Sequence, residues 1–246
     1  MSIRITGLAK RFGSKQVLNG IDLEVADGEN FVILGRSGTG KSVLLKHIVG
    51  LLEPDAGEVV VDGEAVQGRS QASLDALRGS IGYVFQFAAL FDSMTVAENL
   101  ALGLRRRGLD AATITERTTE ALALVNLPGS ELKLPAELSG GMRKRVGIAR
   151  AIALRPKYIL YDEPTSGLDP VTSAVIDRLM VRTRELGVTG VIVTHDMKSA
   201  FSVGDRLALL HEGRVHAVGP AEEMRVSTDP LVRRFIDGIP DDAEAA

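Results

Sequence analysis

Cysteine and long apolar segments are missing from this chain, and their absence excludes whole classes of protein. The 246 residues include no cysteine, so neither a disulfide framework nor a thiolate zinc site can form. No window approaches the roughly 18 apolar residues of a membrane span, and no basic stretch precedes an apolar one near Met1. The histidines, which show no metal-ligand spacing, are His47, His195, His211 and His216. We therefore expect a cytosolic chain that reaches any membrane through a partner.

A strong net charge of either sign is also lacking. The formal net charge is −3, and 45% of the residues are hydrophobic, as in an ordinary globular protein. Such a chain has no global field that would hold it on DNA, RNA or an anionic membrane. We expect no nucleic-acid partner, although a local basic patch would escape this argument.

The order of the periodic segments predicts an α/β fold. Alternating apolar residues from Ile3 to Val25 predict short antiparallel strands, and the apolar run 31–34 predicts a buried parallel strand. A helix is predicted over 42–52, ended by Pro54 and Gly57. Helical periodicity then dominates 97–153. Further strands are predicted at 57–63, 158–161, 191–194 and 206–210.

The last residues carry the signals of one more helix. Asp229 is a typical N-cap, and Pro230 suits the first helical position. An apolar stripe follows and ends before Gly238. Its members are Leu231, Val232, Phe235 and Ile236. We expect an ordered helix here, followed by a disordered acidic tail.

A phosphate loop lies between the strand at 31–34 and the next helix. Residues 35–42 read Gly-Arg-Ser-Gly-Thr-Gly-Lys-Ser, a complete G-x-x-x-x-G-K-[ST] motif. Glycines let the backbone wrap phosphates, and the helix adds its positive N-terminal end. Lys41 can reach the β- and γ-phosphates, and the Ser42 hydroxyl can ligate Mg²⁺. The predicted nucleotide-binding residues of this loop are Gly35, Arg36, Ser37, Gly38, Thr39, Gly40, Lys41, Ser42 and Val43.

Two acidic residues follow the apolar run 158–161 directly. In open parallel sheets, ligands bind at this end of a strand. Asp162 can hold Mg²⁺, and Glu163 can accept a proton from the attacking water or orient it. Two surface acids at a strand end are the alternative, which the nearby phosphate loop disfavours.

These segments, in their order, resemble those of the ATP-binding cassette (ABC) transporter ATPases over about residues 3–223. The matching positions are Gly35–Ser42, Gln86, Leu138–Met142, Asp162–Glu163, Ser166–Asp169 and His195. The resemblance implies ATP and Mg²⁺ as ligands. It also implies a P-loop NTPase sheet core with an antiparallel β subdomain and an inserted α-helical subdomain. The expected bounds are 1–226 for one ATPase domain, about 87–153 for its helical subdomain, and 227–246 for a C-terminal extension.

Further roles are carried over from the family by position. Phe12 resembles the aromatic residue that stacks on adenine, and Gln86 resembles the residue that senses Mg²⁺ and the γ-phosphate. Asp169 would communicate across a dimer, and His195 would clamp the γ-phosphate. The residues expected to bind the γ-phosphate of ATP on the other protomer are Ser139, Gly140 and Gly141.

Each of these carried-over roles has a structural alternative. Phe12 could be a packing aromatic, and Gln86 could be a solvated polar residue. The segment from Ser139 could be a plain helix cap, and His195 could be a core-edge histidine.

The chain departs from the usual family pattern at two positions, and at both it resembles one branch of the family, the ATPases of Mla/Mce-type lipid transporters. Met142 replaces the usual glutamine, and Val43 replaces the usual threonine. This likeness implies phospholipid or another lipid as cargo and a place on the cytoplasmic side of the inner membrane. It implies a homodimer, membrane permease subunits, a small regulatory subunit and lipid-binding substrate proteins as partners. From the same likeness we expect the 231–236 stripe to contact the partner protomer, with packing on its own domain as the alternative.

Other functions stay open at this point. An ABC importer for a small polar solute would share the same motifs. A soluble ABC ATPase acting on nucleic acid or the ribosome usually carries a coiled-coil insert or two cassettes, and neither is present. A regulatory module without turnover is disfavoured by the intact Glu163 and His195. Finally, Phe85, Phe87 and Phe91 could form a groove for a partner's cytoplasmic helix. The alternative, which we favour for Phe85, is that these rings pack the helical insert onto the sheet.

Overall fold

The computed structural model describes residues 3–239, and the chain forms two compact units. The first unit contains the residues up to 68 and from 193 onward, and the second contains 69–192. The acidic tail at 240–246, for which we predicted disorder, lies outside the described residues. The predicted limits of the helical subdomain and of the C-terminal extension stay predictions.

An antiparallel sheet forms one part of the first unit. Strand β1 (Ile3–Phe12) pairs with β2 (Lys15–Val25) on one side and with β4 (Ala56–Val61) on the other, and β5 (Glu64–Ala65) follows β4. Alternate side chains of β1 and β2 are buried, because successive residues of a strand point to opposite faces. The predicted antiparallel strands are confirmed.

The other part of this unit contains the strand that leads into the phosphate loop. Strand β3 (Asn30–Leu34) is buried along its whole length and pairs in parallel with β9 (Arg206–His211), which pairs antiparallel with β10 (Arg214–Pro220). A continuous apolar run is typical of a strand covered on both faces. The helices of the unit are α1 (Lys41–Ile48), α7 (Met197–Val203), α8 (Ala221–Arg225) and α9 (Pro230–Ile236).

Helix α1 is shorter than predicted. It ends at Ile48 rather than near residue 52, because Gly50 takes a left-handed conformation with φ 63°. The amide of Leu51 donates to the carbonyl of Lys46 at 2.8 Å, the reversed bonding that closes a helix at a glycine. The expectation that Pro54 and Gly57 end this helix was wrong.

The second unit combines parallel strands with helices. Strand β6 (Ile81–Val84) pairs in parallel with β7 (Tyr158–Asp162), and β7 lies between β6 and β8 (Thr189–Thr194). The predicted helical periodicity over 97–153 is confirmed by three helices with a short 3-10 turn before the last of them. The helices of this unit are α2 (Gln71–Gly79), α3 (Val96–Arg106), α4 (Ala111–Leu124), α5 (Gly140–Ala153) and α6 (Pro170–Glu185), and the 3-10 turn is Pro135–Glu137.

The predicted C-terminal helix is present as α9. One Asp229 carboxylate oxygen accepts from the amides of Leu231 and Val232 at 2.9 and 3.0 Å, as an N-cap should. Val232 is buried in its own unit, and with Phe235 it faces a small apolar cavity also lined by Leu209. The expectation that the partner protomer buries this stripe was therefore wrong for Val232. The helix packs on its own chain because the apolar surface there is already available.

Replacing Val232 by alanine is expected to destabilise the chain. Removing two buried methyl groups, at about 0.8 kcal/mol each, should lower the free energy of unfolding by roughly 1.5 kcal/mol. The measurement is urea unfolding followed by circular dichroism. Val226→Ala is the control, because Val226 is 74% exposed. Equal stability of the two variants would contradict packing of α9 on its own unit.

Candidate functional site

The phosphate loop of the first unit adopts a conformation that requires glycine. It runs from the end of β3 to the start of α1, with Gly38 at φ 80° and Gly40 at φ 102°. A Cβ atom on Gly40 would lie 2.8 Å from Cδ2 of Leu18. A Cβ atom on Gly35 would lie 2.6 Å from the carbonyl oxygen of Leu210. These positions therefore need glycine for its φ or its size, as the sequence motif predicted.

Lys41 places a cation against this loop. Its side chain is buried, and Nζ donates to the carbonyl oxygens of Gly35 at 2.7 Å and Arg36 at 3.0 Å. The ammonium group therefore lies across the loop rather than in solvent. Ser42 and Val43 follow in the first turn of α1 and are half-buried.

Two further predicted residues of the first unit, His195 and Phe12, lie apart from each other. His195 is exposed in the turn after β8 and lines a cavity of about 380 Å³ together with Arg36 and Ser37. Phe12 lies at the end of β1, where its ring is 47% exposed. An exposed aromatic ring at a hairpin can stack on a planar base, whereas a packing role would bury it.

Asp162 and Glu163 lie at the carboxyl end of β7 in the second unit, and both are 8% exposed. The hydroxyl of Tyr83 donates to the Asp162 carboxylate at 3.2 Å. Burial, with the Asp162 charge second, raises the pKa of Tyr83, so its hydroxyl keeps its proton and stays a donor. Nothing in the sequence pattern pointed to Tyr83, because the pairing of β6 with β7 is what brings it to Asp162.

The Glu163 backbone is in a left-handed conformation with φ 48°, which is uncommon for a residue with a side chain. Its carbonyl oxygen accepts from the amide of Ser166 at 3.2 Å and from Nζ of Lys144, also at 3.2 Å. Gln86 is half-buried, and its Nε2 donates to the hydroxyl of Ser166 at 3.4 Å. The structure thus brings the predicted Gln86 into contact with the loop that begins at Glu163. It also places Lys144 against this loop, a contact that the sequence did not predict.

The predicted residues Ser139, Gly140 and Gly141, which we call the signature residues, lie at the start of helix α5, the signature helix. The Ser139 hydroxyl caps the helix by accepting from the amide of Met142 at 3.3 Å, and Ser139 and Gly140 are exposed. A Cβ atom on Gly141 would lie 2.4 Å from Cγ2 of Thr172 in α6, so any larger residue there would displace the Thr172 side chain.

Asp169 caps α6 and bonds Thr172. Its carboxylate accepts from the amides of Val171 and Thr172, and from the hydroxyl of Thr172. These bonds, the Thr172 hydroxyl first, hold the pKa of Asp169 below its usual value. Asp169 therefore stays ionised and fixes the start of α6 beside the signature glycine.

The residues present fit a magnesium nucleotide. A glycine loop with a buried lysine at the start of a helix is suited to phosphates, and Asp162 offers the hard oxygen ligands that Mg²⁺ prefers. Among the described residues there is no cluster of three or more histidine, aspartate or glutamate side chains that could hold a metal alone.

Comparison with known proteins identifies the family. Residues 18–166 match the model of the ABC transporter family. The chain is 42% identical over 240 residues to the probable ribonucleotide transport ATP-binding protein mkl of Mycobacterium tuberculosis, covering 97% of this chain and 67% of that protein. It is 41% identical over 248 residues to the protein trigalactosyldiacylglycerol 3, chloroplastic, of Arabidopsis thaliana, covering 93% and 71%.

A solved structure agrees with this. The ATP-binding cassette MJ0796, in a dimeric post-hydrolysis state bound to ADP and Pi, matches with a TM-score of 0.82 and 33% identity over 89% of this chain and 98% of that one. The predicted P-loop NTPase fold, the ATPase activity, and ATP with Mg²⁺ as ligands are confirmed. In the part of the chain that the structure describes, no helix is both long and apolar enough to span a membrane. This chain belongs to the ABC transporter family and is an ATPase subunit of such a transporter.

Proposed function

We propose that this chain works as a homodimer that powers a membrane transporter of phospholipid or another lipid. The observation that carries the lipid assignment is the pair Val43 and Met142, which departs from the usual family pattern in the manner of the Mla/Mce-type ATPases. The likeness to a plant protein named for trigalactosyldiacylglycerol supports it. The likeness to mkl, which is named for ribonucleotide transport, favours a small polar solute as the second candidate.

In the proposed mechanism the first unit holds the nucleotide. Phe12 stacks on the adenine ring, and the loop amides and Lys41 bind the phosphates. The residues proposed to hold Mg²⁺ are Ser42, Asp162 and Gln86, and the bound ion would neutralise charge on the phosphate oxygens.

The second unit supplies the groups that act on water. The Glu163 carboxylate orients the attacking water or accepts its proton. Tyr83 keeps the Asp162 carboxylate oriented through its hydroxyl bond. Gln86 is proposed to sense Mg²⁺ and the γ-phosphate, and His195 is proposed to clamp the γ-phosphate.

The dimer completes each site. Ser139, Gly140 and Gly141 bind the γ-phosphate of ATP held by the partner protomer, so that ATP closes the dimer and hydrolysis reopens it. The exposed cap and glycine at the start of α5 are suited to this role, since a helix N-terminus favours an anion. Asp169, beside Gly141 and Thr172, communicates between the two sites.

The permease is proposed to bind next to Gln86. Phe85, Phe87 and Phe91 are 41%, 85% and 55% exposed. Large exposed aromatic groups of this kind mark interaction surfaces. A cytoplasmic helix of a permease could lay its apolar face here. Movement of that permease helix would then displace Gln86 directly.

Purification from membranes tests both the permease surface and the cargo. We expect the tagged chain to bring down integral membrane proteins together with phospholipid, and Phe87→Asp to lose them because a charge would enter an apolar contact. Mass spectrometry of proteins and extracted lipids is the measurement. Leu132→Asp is the matched control, since Leu132 is also 85% exposed. The lipid assignment would be contradicted if the permease copurified without lipid and a soluble ribonucleotide stimulated the ATPase activity of the complex.

A further inference from the structure

Lys144 is a buried cation in the second turn of the signature helix. It lies in α5, five positions after the cap Ser139, and its side chain is 6% exposed. Burial lowers the pKa of this lysine, and the charges of Glu163 and Asp162 oppose that effect. A buried ammonium group is unfavourable unless it is bonded. Its Nζ donates to the carbonyl oxygen of Glu163 at 3.2 Å, in a buried contact.

Lys144 contacts the backbone carbonyl oxygen of Glu163, and the position of this backbone determines the direction of the Glu163 side chain. Glu163 has φ 48°, so its peptide is held in a conformation that residues with a Cβ seldom adopt. Two donors reach its carbonyl oxygen: the amide of Ser166, from the same loop, and Lys144, from a different element. The lysine therefore adds a donor from outside the loop to the bond that the loop makes within itself. The direction of the Glu163 carboxylate follows from the same backbone.

Lys144 also connects two parts of the chain with different tasks. Helix α5 begins with Ser139 and Gly140, whereas β7 ends at Asp162, next to Glu163. A helix moves as a rigid element, so a displacement at its first turn is passed to a side chain one turn further along. The lysine therefore joins the cap residues to the carbonyl of Glu163.

We propose that Lys144 is a positioning residue, which holds the Glu163 peptide and transmits movement of the signature helix to the Glu163 carboxylate. This rests on the proposed roles of Glu163 and Ser139. Binding of the partner's ATP at the start of α5 then sets the carboxylate of the same protomer. Each site of the dimer thereby reports its occupancy to the other.

Lys144→Met tests the proposal, because methionine keeps an unbranched apolar chain in the buried space and removes the donor. We expect kcat to fall by about 100-fold, as for a misplaced catalytic group, while the Kd for ATP and ATP-induced dimerisation stay unchanged. The Hill coefficient for ATP should fall toward one, since the two sites lose their connection. Lys144→Arg retains a donor, so its kcat and its Hill coefficient for ATP should lie close to those of the unmodified chain.

A double-mutant comparison separates positioning from a general loss of structure. If Lys144 acts through the Glu163 carboxylate, Lys144→Met should not lower the residual activity of Glu163→Gln any further. Arg145→Met is the matched control: Arg145 also lies in α5, and its Nη1 donates to the carbonyls of Val125 and Asn126 at 3.2 and 3.1 Å. That variant should keep kcat and the Hill coefficient.

The possible outcomes are distinguishable. Normal kcat and cooperativity in a folded Lys144→Met variant, with Glu163→Gln inactive, would overturn the role of Lys144 alone. Additive losses in the double variant would also overturn it. An active Glu163→Gln would instead remove the proposed function of Glu163, on which the inference rests.

Discussion

Glu163→Gln is expected to hydrolyse ATP at least about 100-fold more slowly than the unmodified chain, since a general base contributes roughly 10²–10⁴-fold. The amide keeps the shape of the side chain but removes the proton acceptor. Nucleotide binding should stay intact, because Glu163 does not belong to the phosphate loop. The variant should therefore collect as an ATP-bound dimer, which size-exclusion chromatography with and without ATP would detect.

A matched control exists for this substitution. Glu212 is also a non-glycine residue with positive φ, at 47°, and its side chain is 85% exposed in a turn. Glu212→Gln should hydrolyse ATP normally, which shows that the amide itself is harmless in such a backbone. Steady-state turnover by Glu163→Gln within a few fold of the control would rule out the proposed role of this carboxylate.

Two inactive variants are expected to recover activity when mixed. Lys41→Ala should bind ATP weakly, because it removes the buried cation that donates to the loop at 2.7 and 3.0 Å. Ser139→Arg should bind ATP as a monomer yet fail to hydrolyse it, because arginine obstructs closure on the partner. A head-to-tail dimer can pair one Lys41→Ala protomer with one Ser139→Arg protomer. One of its two composite sites then keeps both Lys41 and Ser139, and the other site loses both.

The size of the recovery follows from counting. Random pairing makes about half of the dimers mixed, and each has one intact site, so independent sites would return about a quarter of the unmodified activity. The coupling proposed through Lys144 would lower this recovery, because the protomer that supplies Glu163 to the intact site carries the damaged Ser139 position. Coupled phosphate-release kinetics on the mixture and on each variant alone are the measurement. Ser70→Arg is the matched control, since Ser70 caps α2 at 3.3 Å as Ser139 caps α5. Absence of both activity and ATP-induced association in the mixture would contradict a head-to-tail dimer.

Most of the phosphate-binding half could be predicted from the sequence because its determinants are local. A glycine at positive φ, an apolar strand before it and a helix after it occupy one continuous segment, as Gly40, β3 and α1 do. The cap of α9 is equally local, since Asp229 bonds amides two and three residues away. Even so, Gly50 was missed as the end of α1, because two stronger breakers, Pro54 and Gly57, stand just beyond it. The cap signals of Asp169 and Pro170 before α6 were present and were not used.

The sequence by itself determined the family, the nucleotide and the positions that hold phosphate, because glycine, lysine and serine at fixed spacing dictate a backbone shape over eight residues. Only the tertiary structure decided how the acidic residues after β7 are supported. Tyr83 meets Asp162 across 79 positions, and Lys144 meets the Glu163 carbonyl across 19. Such contacts depend on which strand pairs with β7 and on how α5 packs, and no residue pattern within one segment records either. The covering of Val232 by its own unit was decided in the same way, because burial depends on the surface that the rest of the fold presents.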